Sequence, residues 1–543
     1  MEKRPTVWLR HPRLRVLFLA FSGILTGLTV IYPKLGVLEW LSLIPAMLVL
    51  YDIAQQEEDG EGIRLRRVYA MGLLFFMCYY LMNFHFFLAM YPLEFTDLSR
   101  GAALFVVMFA WWGLSLFQAL GAAFVFVAFI AFSRSALVRR LSFLRIFLLG
   151  ALWIILEWGQ TLFWSGVPWG RLALGQVETP VMIATASLLG SYIISLCLVL
   201  FNATVAYAVL HTDRLRLCAF VCGGILLFQA GGGVLITLRT TGNVESDREN
   251  TLRIAAIQGN IGSADKWDMS SEEVFLTYYD LTEQAAASGA ELIVWPETAV
   301  PLTILEYPTY VGELSELAQK YQVTIFVGAF TENQDGEKYN SIIVFEQDGG
   351  ISESVYSKRH LVPFGEYVPM RALVLTLVPP LANLVQADVL AGDDAAVYES
   401  AYGGIGSLIC FDSIYEMLAI DSVRQGAELL TISTNDSWFF DSAAARMHNA
   451  QAQLRAVETG RWVIRAASTG ISSIITPAGE IVARQDALTQ GILTGTVVFR
   501  EEMTLYTRVG NVVVWACMAY AVVLLAARVV ERRKVLFEIR NEK

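Results

Sequence analysis

Eight separate stretches of this chain are apolar for about as long as a bilayer is thick. They fall near residues 16–32, 35–50, 69–90, 102–132, 146–163, 181–210, 217–238 and 509–530. A helix needs about 20 apolar residues to cross the hydrocarbon layer, because its backbone polar groups find no partner in lipid except one another. The first expectation is therefore a membrane α-helical bundle of about eight transmembrane helices, interrupted between the seventh and eighth by a segment large enough to be a domain. Composition agrees. Of 543 residues 55% are hydrophobic and 17% charged, where soluble chains carry roughly a quarter charged. A net charge of −11 argues against nucleic-acid binding, which rests on cationic surface.

The first run follows Arg10, Arg13 and Arg15, exceeds the core of a signal peptide and lacks a small-residue cleavage site. It is read as a retained helix. With the N-terminus in the cytoplasm, the loops bearing Arg64, Arg66 and Arg67, then Arg134, Arg139, Arg140 and Arg145, then Arg214 and Arg216 all lie on that side. So does the tail with Arg532, Arg533 and Lys534. This is the arrangement that the positive-inside rule favours, and it puts the long insertion outside the cytoplasm. The expected domains are 1–238 (seven spans), 239–508 (the insertion) and 509–543 (the last span and a basic tail).

The insertion alternates strand and helix patterns. Strands are expected at 252–258, 291–295, 324–328, 341–345, 405–410, 429–433, 463–468, 471–476 and 481–484, with a hairpin partner at 351–355 across Asp348-Gly-Gly350. Helices are expected at 271–287, 311–321, 414–425 and 448–459. Such alternation means an α/β domain with helices on the faces of a central sheet.

Three residues follow expected strands, where α/β folds place their sites: Glu297 in WPET (295–298), Lys358 before HLVPFGEY (360–367), and Cys410 in LICFDS (408–413). Alone, each has a plain structural explanation: a solvated loop acid, a surface cation beside Arg359, a small core residue. Together they are a carboxylate to take a thiol proton, an ammonium to steady an oxyanion, and a nucleophile. A strand-to-helix turn at Cys410 is expected to lower its thiol pKa. The other cysteines, Cys78, Cys197, Cys218, Cys222 and Cys517, lie in apolar runs. Cys410 is thus alone in a domain expected to face an oxidising compartment, where an idle thiol is a liability. No cysteine spacing suits a zinc site, and the five histidines are scattered, so neither metal nor cofactor is expected.

Glu, Lys and Cys in this order resemble the nitrilase superfamily. Their coupling to membrane spans resembles its membrane branch, the apolipoprotein N-acyltransferases. Also similar are QGNI (258–261) with Lys266 and Trp267, TIS (431–433) with Asn435, Asp436 and Trp438, and STG (468–470). In the membrane part, LEW (156–158) and GVPW (166–169) match as well. The resemblance implies an α-β-β-α sandwich, with Glu297 as general base, Lys358 as oxyanion stabiliser and Cys410 as nucleophile. Glu366 would be a second carboxylate that orients Lys358 or supports the base, with Trp267, Asn435, Trp438 and Asp412 in support. It further implies a bacterial inner-membrane enzyme, expected to work as a monomer, with a phospholipid acyl donor and a diacylglyceryl-modified apolipoprotein acceptor. The chain departs from the family at Phe411-Asp412, where tyrosine and glutamate are usual, and at Phe440-Asp441, where glycine is usual.

Residues 372–385, apolar but carrying Pro379 and Pro380, are read as a loop lining an acyl route, since adjacent prolines disfavour a regular helix. Trp158, Trp164 and Trp169 are read as interfacial anchors, and Glu157 as an intramembrane acid within reach of Arg171. The competing readings are a membrane-tethered amidase, which would need one anchoring helix rather than eight, and a transporter or scaffold with an inactive extracytoplasmic domain.

Overall fold

Strand β1 (Thr251–Gln258) sets the layering of the insertion. Its side chains alternate: Leu252, Ile254 and Ala256 pack with Ile405, Ile409 and Leu429, whereas Ala255 and Ile257 pack with Val274, Phe275 and Tyr278. One face of its sheet therefore meets a second sheet and the other meets helices, as the two-residue period of a strand dictates. These assignments come from a computed structural model that describes residues 7–93, 98–162, 166–246, 251–263, 265–377 and 389–541.

The first sheet runs β12-β1-β2-β3-β4-β5 and the second β11-β10-β9-β8-β7-β6. Their members are β2 (Leu292–Val294), β3 (Thr324–Glu332), β4 (Lys338–Phe345), β5 (Tyr356–Ser357) and β6 (Val397–Ser400). Next come β7 (Gly403–Ile409), β8 (Ala427–Thr434), β9 (Trp462–Ala467), β10 (Ser472–Ile475), β11 (Ile481–Gln485) and β12 (Gly491–Val498). The centre of each sheet is parallel, β1-β2-β3 in one and β7-β8-β9 in the other, so strand C-termini gather at one end. Helices Ser271–Ala287 and Pro308–Tyr321 cover the first sheet; Glu416–Arg424 and Ala443–Thr459 lie on the second. The result is the expected α-β-β-α sandwich. Helix Ser271–Ala287 begins where its sequence says it should, because Ser270 and Glu273 form a capping box.

Some expectations needed correction. The 341–345/351–355 hairpin reduces to a single bridge between Phe345 and Ile351; β4 pairs instead with β5. Strands β6 and β12 were not expected. In β12 the glycines Gly491 and Gly495 break the apolar pattern, and a Cβ at Gly495 would press on the end of the Ile474 side chain, 2.5 Å from its Cδ1. The helix expected from residue 414 begins at Glu416, after a 3-10 turn at Cys410–Ile414.

The chain divides into two compact units, one comprising residues 1–88, 101–236 and 509–543 and the other 89–100 and 237–508. Among the described residues, seven helices are long and apolar enough to cross a membrane, all lying wholly or mainly in the first unit: Pro12–Ile31, Pro33–Glu58, Leu65–Asn83, Arg100–Ser133, Ser191–Leu210, Thr212–Gly242 and Val512–Lys534. The expected span at 146–163 is helix Leu144–Gly159, of 16 residues. At 1.5 Å per residue this is about 24 Å, less than the ~30 Å core.

This unit holds a buried polar cluster. Gln176 donates to Glu39 Oε2 at 2.7 Å, and Asn202 Nδ2 donates to the Glu39 carbonyl at 3.0 Å. Gly36 permits the close approach, since a Cβ there would lie 1.9 Å from the Gly175 carbonyl. Glu157 Oε1 accepts from the Trp153 indole and from the Leu172 N–H, both at 3.0 Å, while Arg171 lies over the Tyr192 ring. Trp158 meets Trp515 edge-on. Trp169 is buried and so is an internal packing residue, not an interfacial anchor; Trp164 lies outside the described residues.

Candidate active site

Cys410 directly follows β7 and opens the 3-10 turn with φ +48°, a left-handed conformation unusual for a residue with a Cβ. Glu297 follows β2, and Lys358 follows β5. The two meet in a buried ion pair: Lys358 Nζ donates to Glu297 Oε1 at 2.7 Å. Lys358 also reaches Glu366, 3.0 Å to Oε1 and 2.9 Å to Oε2, so one ammonium serves two carboxylates. At 1% exposure, burial would discharge this lysine; the charges of Glu297 and Glu366 overcome that and hold its pKa well above the usual value.

Asn340, on β4, completes the cluster and escaped the sequence reading. Its Nδ2 donates to Glu297 Oε1 at 2.8 Å and to Glu366 Oε1 at 3.0 Å. It stands between Tyr339 and Ser341 in the polar first half of β4, so nothing in the sequence sets it apart. The other Glu297 oxygen, Oε2, accepts from the backbone N–H of Asn435 at 2.9 Å. The Asn435 side chain serves its own loop, accepting from the Ser437 N–H and donating to Ser263. Glu366 Oε2 is held by the Val362 N–H at 2.8 Å.

Burial pushes the Cys410 thiol up; Glu297 adds to the rise, and Lys358 only partly offsets it. The lowering expected of a strand-to-helix turn does not occur, because burial and the Glu297 charge outweigh everything that favours the thiolate. The resting group is a thiol in need of a base. Beside Glu297 lies a second buried lysine, Lys266, which donates to the Thr298 carbonyl at 2.5 Å. Burial brings its pKa down to about 8 against the pull of Glu297.

Asp412, one of the departures from the family pattern, clamps two loops. Its carboxylate accepts from the Tyr356 hydroxyl (2.8 Å), the His360 N–H (2.7 Å), and the Arg359 and Ile409 N–H groups (both 3.2 Å). The chain leaving β5 with Lys358 is thus tied to the turn that carries Cys410. Burial raises Asp412 to about 6 despite Lys358 and these donors.

His448 was placed in the sequence only as the start of a helix. Its ring nitrogen, the Cys410 sulfur and an Asp436 oxygen lie within 4.8 Å of one another. Both ring nitrogens already have partners: Nδ1 meets Asp436 Oδ1 at 2.8 Å, and Nε2 meets the Cys410 carbonyl at 3.0 Å. Asp436 is also bound by Arg465 at 2.7 Å. The cluster is therefore a hydrogen-bonded chain rather than a set of free metal ligands.

Trp438 sits on a 3-10 turn, Ser437–Phe439, and is 38% exposed. Trp267 lies on the short helix Asp265–Asp268, and its side chain is outside the described residues. Phe440 has φ +49°, ψ −151°, backbone that suits the glycine usual there. In the apolar run at 372–385, Arg371–Leu377 is helical with Leu373 and Leu375 exposed; Pro379 and Pro380 lie outside the described residues.

A double-sheet sandwich presenting glutamate, lysine and cysteine from its strand ends places the insertion in the carbon-nitrogen hydrolase class. The family model described as "Carbon-nitrogen hydrolase" matches residues 253–502. A second model, described as "Apolipoprotein N-acyltransferase N-terminal domain", matches residues 22–204. Among curated relatives, the apolipoprotein N-acyltransferase of Geobacter metallireducens is 33% identical over 69% of this chain and 72% of its own length. That of Gloeobacter violaceus is 32% identical over 90% and 89%. Among solved structures, Saccharomyces cerevisiae Nit3, of the nitrilase superfamily, aligns with a TM-score of 0.37 at 20% identity, covering 46% of this chain and 90% of that one. The chain belongs to the apolipoprotein N-acyltransferase family.

Proposed function

We propose that the chain transfers an acyl group from a membrane phospholipid to the N-terminal amine of a diacylglyceryl-cysteine apolipoprotein, through a thioester on Cys410. The observation that carries this reading is the buried Glu297–Lys358 pair, whose charges are felt at the Cys410 thiol, in a chain whose relatives are named apolipoprotein N-acyltransferases.

In the first half-reaction Glu297 takes the thiol proton. The hydrogen bonds divide the labour between its oxygens: among the described residues Oε1 accepts two donors, whereas Oε2 accepts from Asn435 and keeps a lone pair for the proton. The sulfur attacks the ester carbonyl, and a C–S bond forms. As the tetrahedral intermediate collapses, the ester C–O bond breaks and Glu297 returns the proton to the leaving glyceryl oxygen, releasing lysophospholipid. In the second half the α-amine attacks the thioester, the C–N bond forms and the C–S bond breaks. Glu297 carries the amine proton to the departing sulfur. Lys358, held charged by its two carboxylates, faces each oxyanion. Both steps use only these side chains, and the order is ping-pong.

The basic loops support a catalytic unit on the periplasmic side of the inner membrane. The test supplies purified protein with labelled phospholipid and a diacylglyceryl lipopeptide. The reading expects an amide-linked triacyl peptide and one lysophospholipid per turnover. Release of free fatty acid with the peptide unchanged would make the protein a hydrolase instead, and no consumption of lipid would support the scaffold reading.

A further inference from the structure

The Asp436–His448–Arg465 chain ends on the backbone of the nucleophile, not on its sulfur. His448 Nε2 lies 3.0 Å from the Cys410 carbonyl, and the Ser413 hydroxyl donates to the same oxygen at 2.7 Å. A carbonyl can only accept, so Nε2 is the donor in that contact, with the Ser413 Oγ also 3.0 Å from Nε2; Nδ1 faces the Asp436 carboxylate. Behind the ring, Asp436 accepts from Arg465 Nη2 (2.7 Å) and from the Thr434 hydroxyl (3.1 Å); burial alone would raise its pKa, but Arg465 and His448 overcome that and hold it well below the usual range. All three residues are at most 1% exposed. The wall against Asp436 is glycine, since a Cβ on Gly470 would lie 2.3 Å from Asp436 Oδ2. A buried ion pair with a buried imidazole beside it is costly to desolvate, and the acyl transfer described above uses none of the three.

Their geometry suggests what they do. In a trans peptide the carbonyl and the next N–H point in opposite directions. Holding the Cys410 carbonyl toward His448 turns the Phe411 N–H the other way. That orientation is not set by a regular helix: Cys410 is left-handed and only a 3-10 turn follows. We propose that His448, fixed by Asp436 and Arg465, is a positioning residue that locks the Cys410–Phe411 peptide so that the Phe411 N–H serves as the second oxyanion donor, opposite Lys358. The inference rests on the thioester reading and adds to it the device that aims the donor.

The test separates two reactions of the same sulfur. Alkylation by iodoacetamide forms a C–S bond and expels iodide with no oxyanion at a carbonyl, whereas acylation by phospholipid passes through one. Both are followed by mass spectrometry on the full-length protein in detergent. For His448→Ala, alkylation within about threefold of wild type is expected, with acylation slowed about 100-fold, the order seen when an oxyanion donor is lost. His448→Gln, which can still donate to the carbonyl, should recover most of that loss. Equal acylation in wild type and His448→Ala, parallel loss of both reactions, or a glutamine variant as slow as alanine would each overturn the inference. Failure of wild type itself to acquire an acyl group would instead remove the thioester reading on which it stands.

Discussion

Replacing Asn340 with leucine separates the support of the base from the base itself. Asn340 Nδ2 is one of three donors on Glu297 and one of the donors on Glu366; its Oδ1 is buried without a hydrogen-bond partner among the described residues. Leucine has nearly the same shape, removes the orphan acceptor and deletes both donated bonds. Hydrogen bonds to charged groups contribute about 1.5–3 kcal/mol each. Glu297 keeps Lys358 Nζ and the Asn435 N–H, so it stays buried and paired. Its Oε1, however, would then be tethered only by the lysine that must also meet the oxyanion. Losing that one bond in the transition state corresponds to a roughly 10- to 150-fold slower acylation. The assay is single-turnover acyl transfer from phospholipid, quenched and read by intact mass. Because Asn340 also binds Glu366, Asn340→Leu and Glu366→Gln should couple, with the double variant losing less than the product of the single losses. Acylation of Asn340→Leu within twofold of wild type, or full additivity with Glu366→Gln, would refute the idea that this side chain organises both carboxylates.

Other consequences follow from single positions. Gly470→Ala would press a methyl group against the Asp436 carboxylate; acylation should fall at least tenfold and the thermal midpoint should drop, as overpacking costs about 1–3 kcal/mol. Phe440→Gly relieves a backbone conformation that suits glycine; a gain of about 1 kcal/mol is expected after the entropy of the new glycine is subtracted, seen as a higher thermal midpoint. Burial raises Asp412 from 3.8 to about 6, so the folded chain holds that proton more tightly than the unfolded one. Its contribution favours folding fully below about pH 4 and is lost as pH rises through about 6, a swing of about 3 kcal/mol. Asp412→Asn, which cannot ionise, should flatten this part of the change in thermal midpoint between pH 5 and pH 7.

What could be read from the sequence was what is written locally. Ser270 and Glu273 announce their helix because a capping box spans four residues, and Glu297 and Lys358 stand after strands with distinctive neighbours. Asn340 and His448 could not be read in this way. Each acts on a partner about 40 residues away, 43 for Asn340 with Glu297 and 38 for His448 with Cys410, and only the sheet order brings them together. The thiol misled for a related reason: its pKa depends on burial and on Glu297, not on the turn that follows it. Asp412 drew little weight as a departure from the family pattern, yet its short carboxylate gathers donors from both sides of the site.

The most direct measurement is made on the nucleophile. Purified protein is incubated with a phospholipid of defined acyl chains, digested, and the peptide bearing Cys410 is weighed before and after addition of a diacylglyceryl lipopeptide. The account predicts one acyl group on Cys410, sensitive to hydroxylamine, absent in Cys410→Ala and in Glu297→Gln, and discharged onto the amine of the lipopeptide. Amide product formed at the full rate by Cys410→Ala, or an adduct that the lipopeptide fails to discharge, would contradict it.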